Sequence, residues 1–242
     1  MMKKIKIWFF LFIVLSYACS AQNYTIREIK ASYALMDSTF NKTTNQKAID
    51  LVNYYSTLTS LVMSETIGEA SNTMTKAHPA YELVYFTLDV MKQFGDKNLQ
   101  GGVDFALVNI NGHRSSLNKG AITLENMYEI YSFDNELVCV YLKGKYLLDF
   151  LKKLTGAPKV LPSDNVKYTI TAHDVTNIFI NNIPLEPDRK YKIITLDYLA
   201  EGNDDMAVMK KKSGLYQTGI LLRDVMISYV KESTENHKKI ER

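Results

Sequence analysis

The fold of this chain is constrained most by the irregular order in which helical and strand-like apolar patterns follow each other. Over residues 82–94 the apolar side chains fall on one helical face, and Gly95 is expected to end that helix. Residues 103–108 (VDFALV) form a nearly all-apolar run, which predicts a buried strand. Residues 166–172 alternate between apolar and polar, which predicts a half-buried strand. Because these patterns do not follow a strict βαβ order, we predict an α+β fold.

The other predicted elements fill most of the chain after residue 46. Further helices are predicted over 47–62, from Thr123 onward, over 145–154 and over 220–230, and further strands over 136–142, 177–180 and 190–195. Residues 231–242 are strongly charged, and we expect this tail to fray. The predicted organisation is therefore an N-terminal segment and helix over 20–63, a domain over 64–232 and a charged tail over 233–242.

Composition excludes some classes of partner. The chain has 242 residues with 46% hydrophobic and 23% charged content, which is ordinary for a globular protein of this length. Its net charge is only +3 and its lysines are scattered. A nucleic-acid-binding surface normally concentrates positive charge on one face, so no nucleic-acid partner is predicted.

The N-terminus has the pattern of an export signal. Three lysines within residues 3–6 precede the apolar run 7–15, and small residues follow, so residues 1–19 are predicted to be a signal peptide. Cys19 stands where a lipoprotein signal places its acylated cysteine, which predicts lipid anchoring on the periplasmic side of the cell envelope. A cut after Ala21 is the alternative, and it would give a secreted or periplasmic chain. Cys139, the other cysteine, lies in an apolar strand pattern and is expected to be a buried small hydrophobe.

No complete catalytic site is visible in the sequence. None of the four histidines, at positions 78, 113, 173 and 237, has a second ligand at metal-binding spacing, so each is expected to be a surface or structural residue and no metal site is predicted. There is also no Gly-x-Ser-x-Gly elbow and no glycine-rich phosphate loop. Residue chemistry alone therefore does not predict a self-sufficient enzyme.

Three polar loops after or before predicted strands are the candidate functional segments. They cover 109–114 (NINGHR), 132–135 (SFDN) and 197–205 (DYLAEGNDD). An arginine in the first loop suits the recognition of a carboxylate or phosphate, because its planar fork can donate two hydrogen bonds. Taken singly, each loop has an equally simple interpretation as a turn.

Six sequence blocks in order resemble the C-terminal domain of the 5'-nucleotidase and UDP-sugar hydrolase family. In this chain they read DFALVNINGHR from Asp104, GAIT from Gly120, SFDNELV from Ser132, LKG from Leu142, NIPLEPDRKY from Asn182 and TLDYLAEGNDD from Thr195. The resemblance implies an α+β domain of layered helices and mixed sheets, and it identifies the helix over 47–62 with the linker that precedes this domain. It also implies a nucleotide or nucleoside as the ligand.

The resemblance assigns a role to each candidate site residue. Phe133 and Tyr198 match two aromatic rings that sandwich the base, a contact worth ~1–3 kcal/mol per stacked base. Asp204 matches the carboxylate that binds the ribose hydroxyls. The remaining matches are polar contacts near the substrate, Asn109 and Asn135, and an arginine on the phosphate side, Arg114.

The chain also departs from the family pattern. Asn111 and His113 replace a glycine and an aliphatic residue, while Asn203 and Asp205 replace the glycines that flank Asp204. Asn and Asp adopt left-handed backbone more readily than most residues, so we expect the loop to keep its conformation. An additional carboxylate beside Asp204 is expected to weaken the binding of an anionic ligand, and the base preferred is left open.

The family's upstream domain, with two metal ions and a catalytic Asp-His pair, has no match in this sequence. The first hypothesis is a split 5'-nucleotidase, in which this chain binds the nucleoside while a separate metallophosphatase chain hydrolyses the phosphate ester, with no cofactor in this chain itself. The second is a non-catalytic nucleotide-binding or nucleoside-binding module. The third is a structural envelope lipoprotein that has lost the binding function.

Overall fold

The computed structural model describes residues 26–35, 45–171 and 174–242. Within these ranges, Lys153 is described by its backbone alone. The predicted signal peptide, Cys19 and His173 therefore lie outside the described residues. The chain divides into two units, Met1–Asp50 and Leu51–Arg242. In the first unit, residues 26–35 form neither helix nor strand. None of the helices among the described residues has the length and apolarity needed to cross a bilayer.

Helix α1, Gln46–Met63, begins in the first unit and ends in the second. Its apolar side chains recur at helical spacing, as the sequence predicted, but none of its residues is buried. Leu51, Tyr55 and Leu58 are each more than half exposed.

The second unit contains the remaining helices and the strands. In chain order they are β1 Thr66–Ala70, α2 Glu82–Asn98, β2 Phe105–Asn109, β3 Gly120–Thr123, α3 Leu124–Ile130, β4 Glu136–Lys143, α4 Gly144–Leu151, β5 Val160–Pro162, β6 Val166–Ile170, β7 Val175–Ile180, β8 Ile183–Pro184, β9 Lys190–Leu196, α5 Asp197–Ala200, β10 Gly214–Leu221 and α6 Leu222–Glu235. This mixture of helices with parallel and antiparallel strand pairs confirms the predicted α+β class.

The main sheet has the strand order β10-β4-β9-β2-β5. Strands β2 and β9 run parallel, while β4 is antiparallel to both β9 and β10, and β5 is antiparallel to β2. Every residue of β2 is buried, because α2 packs against this strand and the neighbouring strands flank it. The strands β2 and β9 end side by side, so the loops that follow them leave the sheet at the same edge.

A partly buried carboxylate fixes the start of β2 against β9. Asp104 accepts hydrogen bonds from Arg189 Nη2 and from the backbone nitrogen of Lys192, both at 2.7 Å. The Asp104 side chain is only 14% exposed, so its charge needs these donors. The aspartate that opens the first motif block therefore has a structural role, which is to align the strands that position the loops.

Helix α3 begins after Thr123, where the sequence predicted a helix to start, and its N-terminus is capped. Thr123 Oγ1 accepts from the backbone nitrogen of Asn126 at 3.3 Å, and Asn126 Oδ1 accepts from the backbone nitrogen of Thr123 at 3.0 Å. This reciprocal pair satisfies two donors that a helix N-terminus would otherwise leave without partners. The cap sets where α3 starts and hence where the loop containing Phe133 follows it.

The C-terminal tail is ordered, so the prediction that it frays is wrong. Helix α6 continues to Glu235, and Ile240 is buried and exchanges backbone hydrogen bonds at 2.8 Å with Glu69 and Ser71 next to β1. Arg242 forms ion pairs with Asp89 and Asp164. The charges that made the segment look solvated therefore act as ion-pair partners for the rest of the unit.

Candidate functional site

The site forms where the loops after β2 and β9 meet. Asn109 is the last residue of β2 and is only 6% exposed. Its Nδ2 donates a hydrogen bond of 2.8 Å to Oδ2 of Asp204, which lies beyond β9 and 95 positions later in the sequence. Because β2 and β9 are neighbours in the sheet, the fold brings together two side chains that the sequence predicted as ligand contacts.

The other end of the Asn109 amide has no partner. Its Oδ1 is buried and accepts no hydrogen bond from a described residue. A buried acceptor without a donor costs about 1–3 kcal/mol, so such an atom in a native fold commonly serves a ligand or water. Gly112 makes room for it, since a Cβ at that position would lie 2.5 Å from Oδ1.

Phe133 extends from the loop between α3 and β4, with half of its surface exposed. The guanidinium carbon of Arg114 lies 5.9 Å from the centre of the Phe133 ring, within cation–π range. No carboxylate among the described residues lies within ion-pair distance of Arg114. The arrangement places a cation beside an accessible aromatic face.

The Phe133 loop is held at its base by a buried arginine. Arg223 Nη2 pairs with Asp134 at 2.5 Å, while its Nη1 donates to the backbone oxygen of Tyr131 at 2.9 Å. The backbone oxygen of Asn135 accepts from the backbone nitrogen of Leu222 at 2.9 Å. These bonds fix both ends of a loop that has no regular secondary structure of its own.

Three of the predicted site residues line one small cavity. Asn109, Phe133 and Asn135 form its wall together with apolar and aromatic neighbours, namely Val108, Gly112, His113, Tyr131, Leu196 and Leu222. The sequence blocks that carry these residues are separated along the chain, so their convergence is produced by the sheet. This cavity brings together three of the six candidate residues.

Tyr198 and Asp204 belong to the segment that follows β9. Tyr198 lies on the short helix α5 and is 40% exposed, and its backbone oxygen accepts from Asn203 Nδ2 at 2.9 Å. Asp204 and Asp205 have left-handed backbone, with φ of 50° and 64°. Of the two residues that replace family glycines, Asp205 therefore adopts the left-handed backbone that we expected it to tolerate. Asn203 does not have a positive φ.

The structure places the two predicted aromatic rings on accessible surface. Neither Phe133 nor Tyr198 is buried, and among the described residues the two rings are not in contact with each other. Whether they close on a flat ligand therefore stays a prediction.

His113 belongs to the wall of the site and is structural, as expected. It is 1% exposed, with Nε2 at 2.8 Å from Thr87 Oγ1 and Nδ1 at 3.2 Å from the backbone oxygen of Ile110. Thr87 Oγ1 also lies 2.8 Å from the hydroxyl of Tyr131. Burial lowers the pKa of His113 to about 4, so the ring is neutral at physiological pH.

Sequence reasoning missed one charged residue at the site. Lys159 Nζ lies 2.7 Å from Asp205 Oδ2, and the hydrogen bond that Lys159 donates to this carboxylate is the main cause that raises the pKa of Lys159. Asp204 and Tyr198 raise it further through their charges. Lys159 lies outside every motif block. It directly precedes β5, and the pairing of β5 with β2 brings it to the edge of the sheet where the site forms.

Comparison with known proteins decides the family. The model of the 5'-nucleotidase C-terminal domain matches residues 62–211, which include all six candidate binding residues. The chain belongs to this family. The match covers the segment in which the resemblance was recognised from the motif blocks.

Relatives of this 5'-nucleotidase-type domain are much longer than the chain. It is 26% identical over 140 residues to protein UshA of Escherichia coli, which covers 55% of this chain and 25% of the relative. It is 28% identical over 142 residues to a 5'-nucleotidase of Vibrio parahaemolyticus, which covers 57% of this chain and 25% of the relative. The chain thus spans about a quarter of the length of these curated relatives.

Solved structures share the fold of the domain. The 5'-nucleotidase precursor from Thermus thermophilus aligns with a TM-score of 0.66 at 23% identity, covering 81% of this chain and 41% of the other. The NAD nucleotidase of Haemophilus influenzae aligns with a TM-score of 0.59 at 17% identity, covering 78% of this chain and 39% of the other. At these identities the likeness concerns the fold.

The described part of this 5'-nucleotidase-type domain does not fit the two metal ions of the family's catalytic domain. It holds no group of three or more His, Cys, Asp or Glu side chains arranged to bind a metal. Catalytic metal ions need several converging ligands, so no chemical step on a metal is assigned to these residues.

Proposed function

We propose that this chain is the nucleotide-binding or nucleoside-binding subunit of a split 5'-nucleotidase of the cell envelope. In this proposal a separate metallophosphatase chain hydrolyses the phosphate ester. The observation that carries it is that Asn109, which donates a hydrogen bond to Asp204, lines the same cavity as Phe133. It is a polar and aromatic site of the kind that a nucleoside requires.

Each part of a nucleotide has a counterpart among the site residues. The exposed faces of Phe133 and Tyr198 suit a flat base, because stacking on an aromatic ring contributes ~1–3 kcal/mol and tolerates different bases. Asp204 Oδ2 is held by Asn109, while no described residue donates to Oδ1, so Oδ1 is available to accept from a ribose hydroxyl. Arg114 supplies the cation for the phosphate.

The binding half of the proposal is tested by calorimetry with adenosine and AMP. We expect both to bind, and Phe133→Ala and Tyr198→Ala each to lower affinity at least about fivefold through lost stacking. Tyr216→Ala is the matched control, since Tyr216 is a 54% exposed tyrosine on β10 that lines neither the cavity nor the loop. An absence of binding, or ring variants that behave like the wild type, would refute the proposed site.

The catalytic half is tested by mixing the purified chain with candidate metallophosphatases from the same organism. The proposal predicts phosphate release from AMP above the sum of the separate activities. Phe133→Ala should reduce that gain, while Tyr216→Ala should leave it unchanged. If no candidate gains activity although the chain binds AMP, the split-enzyme proposal fails and a non-catalytic binding protein remains.

The envelope location is proposed from the signal pattern around Cys19. Expression of the full chain in a Gram-negative host, followed by membrane fractionation, tests it. The wild type is expected in the membrane fraction and Cys19→Ser in a soluble fraction or as unprocessed precursor. Wild-type protein recovered entirely in the soluble periplasmic fraction would instead support cleavage after Ala21.

A further inference from the structure

We infer that Lys159 is a positioning residue, which through its ion pair with Asp205 holds Asp204 in place for the two hydroxyls of a ribose. The inference rests on the proposed function and concerns how the site tells a riboside from a deoxy analogue. It assigns a role to a lysine outside every motif block and to an aspartate that replaces a family glycine.

Lys159 is anchored to the Asn109 side of the site by the backbone. Its carbonyl oxygen accepts from the backbone nitrogen of Ile110 at 2.8 Å. The next residue, Val160, is paired with Asn109 in the β2–β5 register. The start of the Lys159 side chain is therefore fixed relative to the amide that binds Asp204.

The far end of the Lys159 side chain holds the acidic loop. Its Nζ lies 2.7 Å from Asp205 Oδ2, one residue beyond Asp204. The Asp204 segment is thus tied to the end of β2 twice, by the Asn109–Asp204 hydrogen bond of 2.8 Å and by the Lys159–Asp205 ion pair. Because these two interactions hold adjacent residues, they restrict rotation of the Asp204 carboxylate more than the Asn109–Asp204 hydrogen bond alone would.

The loop has physical reasons to move when the ion pair is lost. Asp204 and Asp205 both have left-handed φ values, a conformation that non-glycine residues adopt at an energetic cost. They also place two carboxylates on neighbouring residues, whose charges repel each other. The Lys159 ammonium opposes this repulsion, and both carboxylates in turn raise the pKa of Lys159.

The size of the effect is bounded by exposure. The Lys159 and Asp205 side chains are 54% and 61% exposed, and ion pairs of this kind contribute little in water. Loss of the pair is therefore expected to lower riboside affinity about threefold and to leave global stability almost unchanged. The mechanism is distinguished by which ligands are affected.

The test compares adenosine with 2',3'-dideoxyadenosine by calorimetry. The wild type should prefer adenosine. Lys159→Met and Asp205→Asn should each lower adenosine affinity about threefold while changing dideoxyadenosine affinity less than about 1.5-fold. Lys159→Arg should restore most of the preference because it restores the ion pair. Lys119→Met removes the same charge from an exposed loop outside the site and should change neither affinity.

The salt dependence of the adenosine preference is a second measurement, and it should not change if Lys159 has only a structural role. Raising NaCl to about 0.5 M should reduce the wild-type preference for adenosine through screening, but not that of Lys159→Met. Equal losses for both ligands, or an unchanged preference in Lys159→Met, would overturn the inference while the proposed function stands. A wild type that binds adenosine without preferring it also overturns the inference. A wild type that binds no nucleoside would overturn both.

Discussion

Replacing His113 by glutamine is expected to flatten the acid side of the stability curve. The buried ring has its pKa lowered from 6.5 to about 4, chiefly because burial disfavours the charged imidazolium, with the nearby Lys76 as a smaller contribution. The folded chain therefore excludes a proton that the unfolded chain binds. The contribution of His113 to the free energy of unfolding is complete above about pH 6.5 and is lost as the pH falls toward 4.

The magnitude follows from the two pKa values. A single histidine with these values should cost about 2 kcal/mol of unfolding free energy between about pH 7.5 and pH 5. Carboxylates elsewhere also titrate, so the quantity to measure is the difference between variants. Glutamine keeps a polar side chain beside Thr87 and Ile110 but does not titrate, and any constant loss of stability cancels when each variant is compared with itself.

The assay is urea unfolding followed by circular dichroism at both pH values. The wild type should lose about 2 kcal/mol more than His113→Gln on acidification. His237→Asn serves as the control, because His237 is exposed and its replacement should leave the wild-type loss unchanged. Equal losses in the wild type and His113→Gln would show that the ring is not held neutral by burial.

Three further predictions follow from the packing. Gly112→Ala should lower nucleoside affinity without unfolding the chain, since its Cβ would lie 2.5 Å from Asn109 Oδ1; Gly156→Ala, with no atom within 4 Å, is the calorimetric control. The Cys139 thiol, whose pKa is raised to about 11 by burial, should react with a thiol reagent at neutral pH only in urea, and rapid native labelling would contradict its position in β4. Ile240→Ala should lower the unfolding free energy by about 2 kcal/mol in urea titrations, whereas an unchanged value would mean that the tail frays.

The predicted helices and strands are correct where the periodicity of apolar residues in the sequence matches their burial in the structure. Strand β2 was predicted because its residues are all buried and, apart from Asn109, apolar, and α3 starts after Thr123 as predicted. Strand β10 was missed, and the last helix was placed too early, because no residue of Gly214–Leu221 is buried at this edge of the sheet. An edge strand of this kind lacks the alternation that identifies a half-buried strand.

Gly95 shows how a tertiary contact overrides a local signal. The sequence predicts that the helix ends there, but α2 continues to Asn98. A Cβ at position 95 would lie 2.8 Å from Val103 Cγ2, so glycine permits the close approach of the following segment to the helix. Close packing rather than termination explains this glycine.

The candidate site was predictable only as far as its motifs extend. Asn109, Phe133 and Asn135 were recovered from separated blocks and line one cavity. Lys159 was not, because its position depends on the antiparallel pairing of β5 with β2 and on an ion pair with a residue that departs from the family pattern. Long-range pairing of this kind leaves no periodic signal in the sequence.

A crystal structure of the chain with adenosine is the most direct test of the account. We predict the base against Phe133 and Tyr198 and a ribose hydroxyl within hydrogen-bond distance of Asp204 Oδ1, with the Asn109–Asp204 hydrogen bond retained. Adenosine bound away from the loops after β2 and β9, or rings that point apart in the complex, would contradict the nucleoside-binding site proposed for this chain.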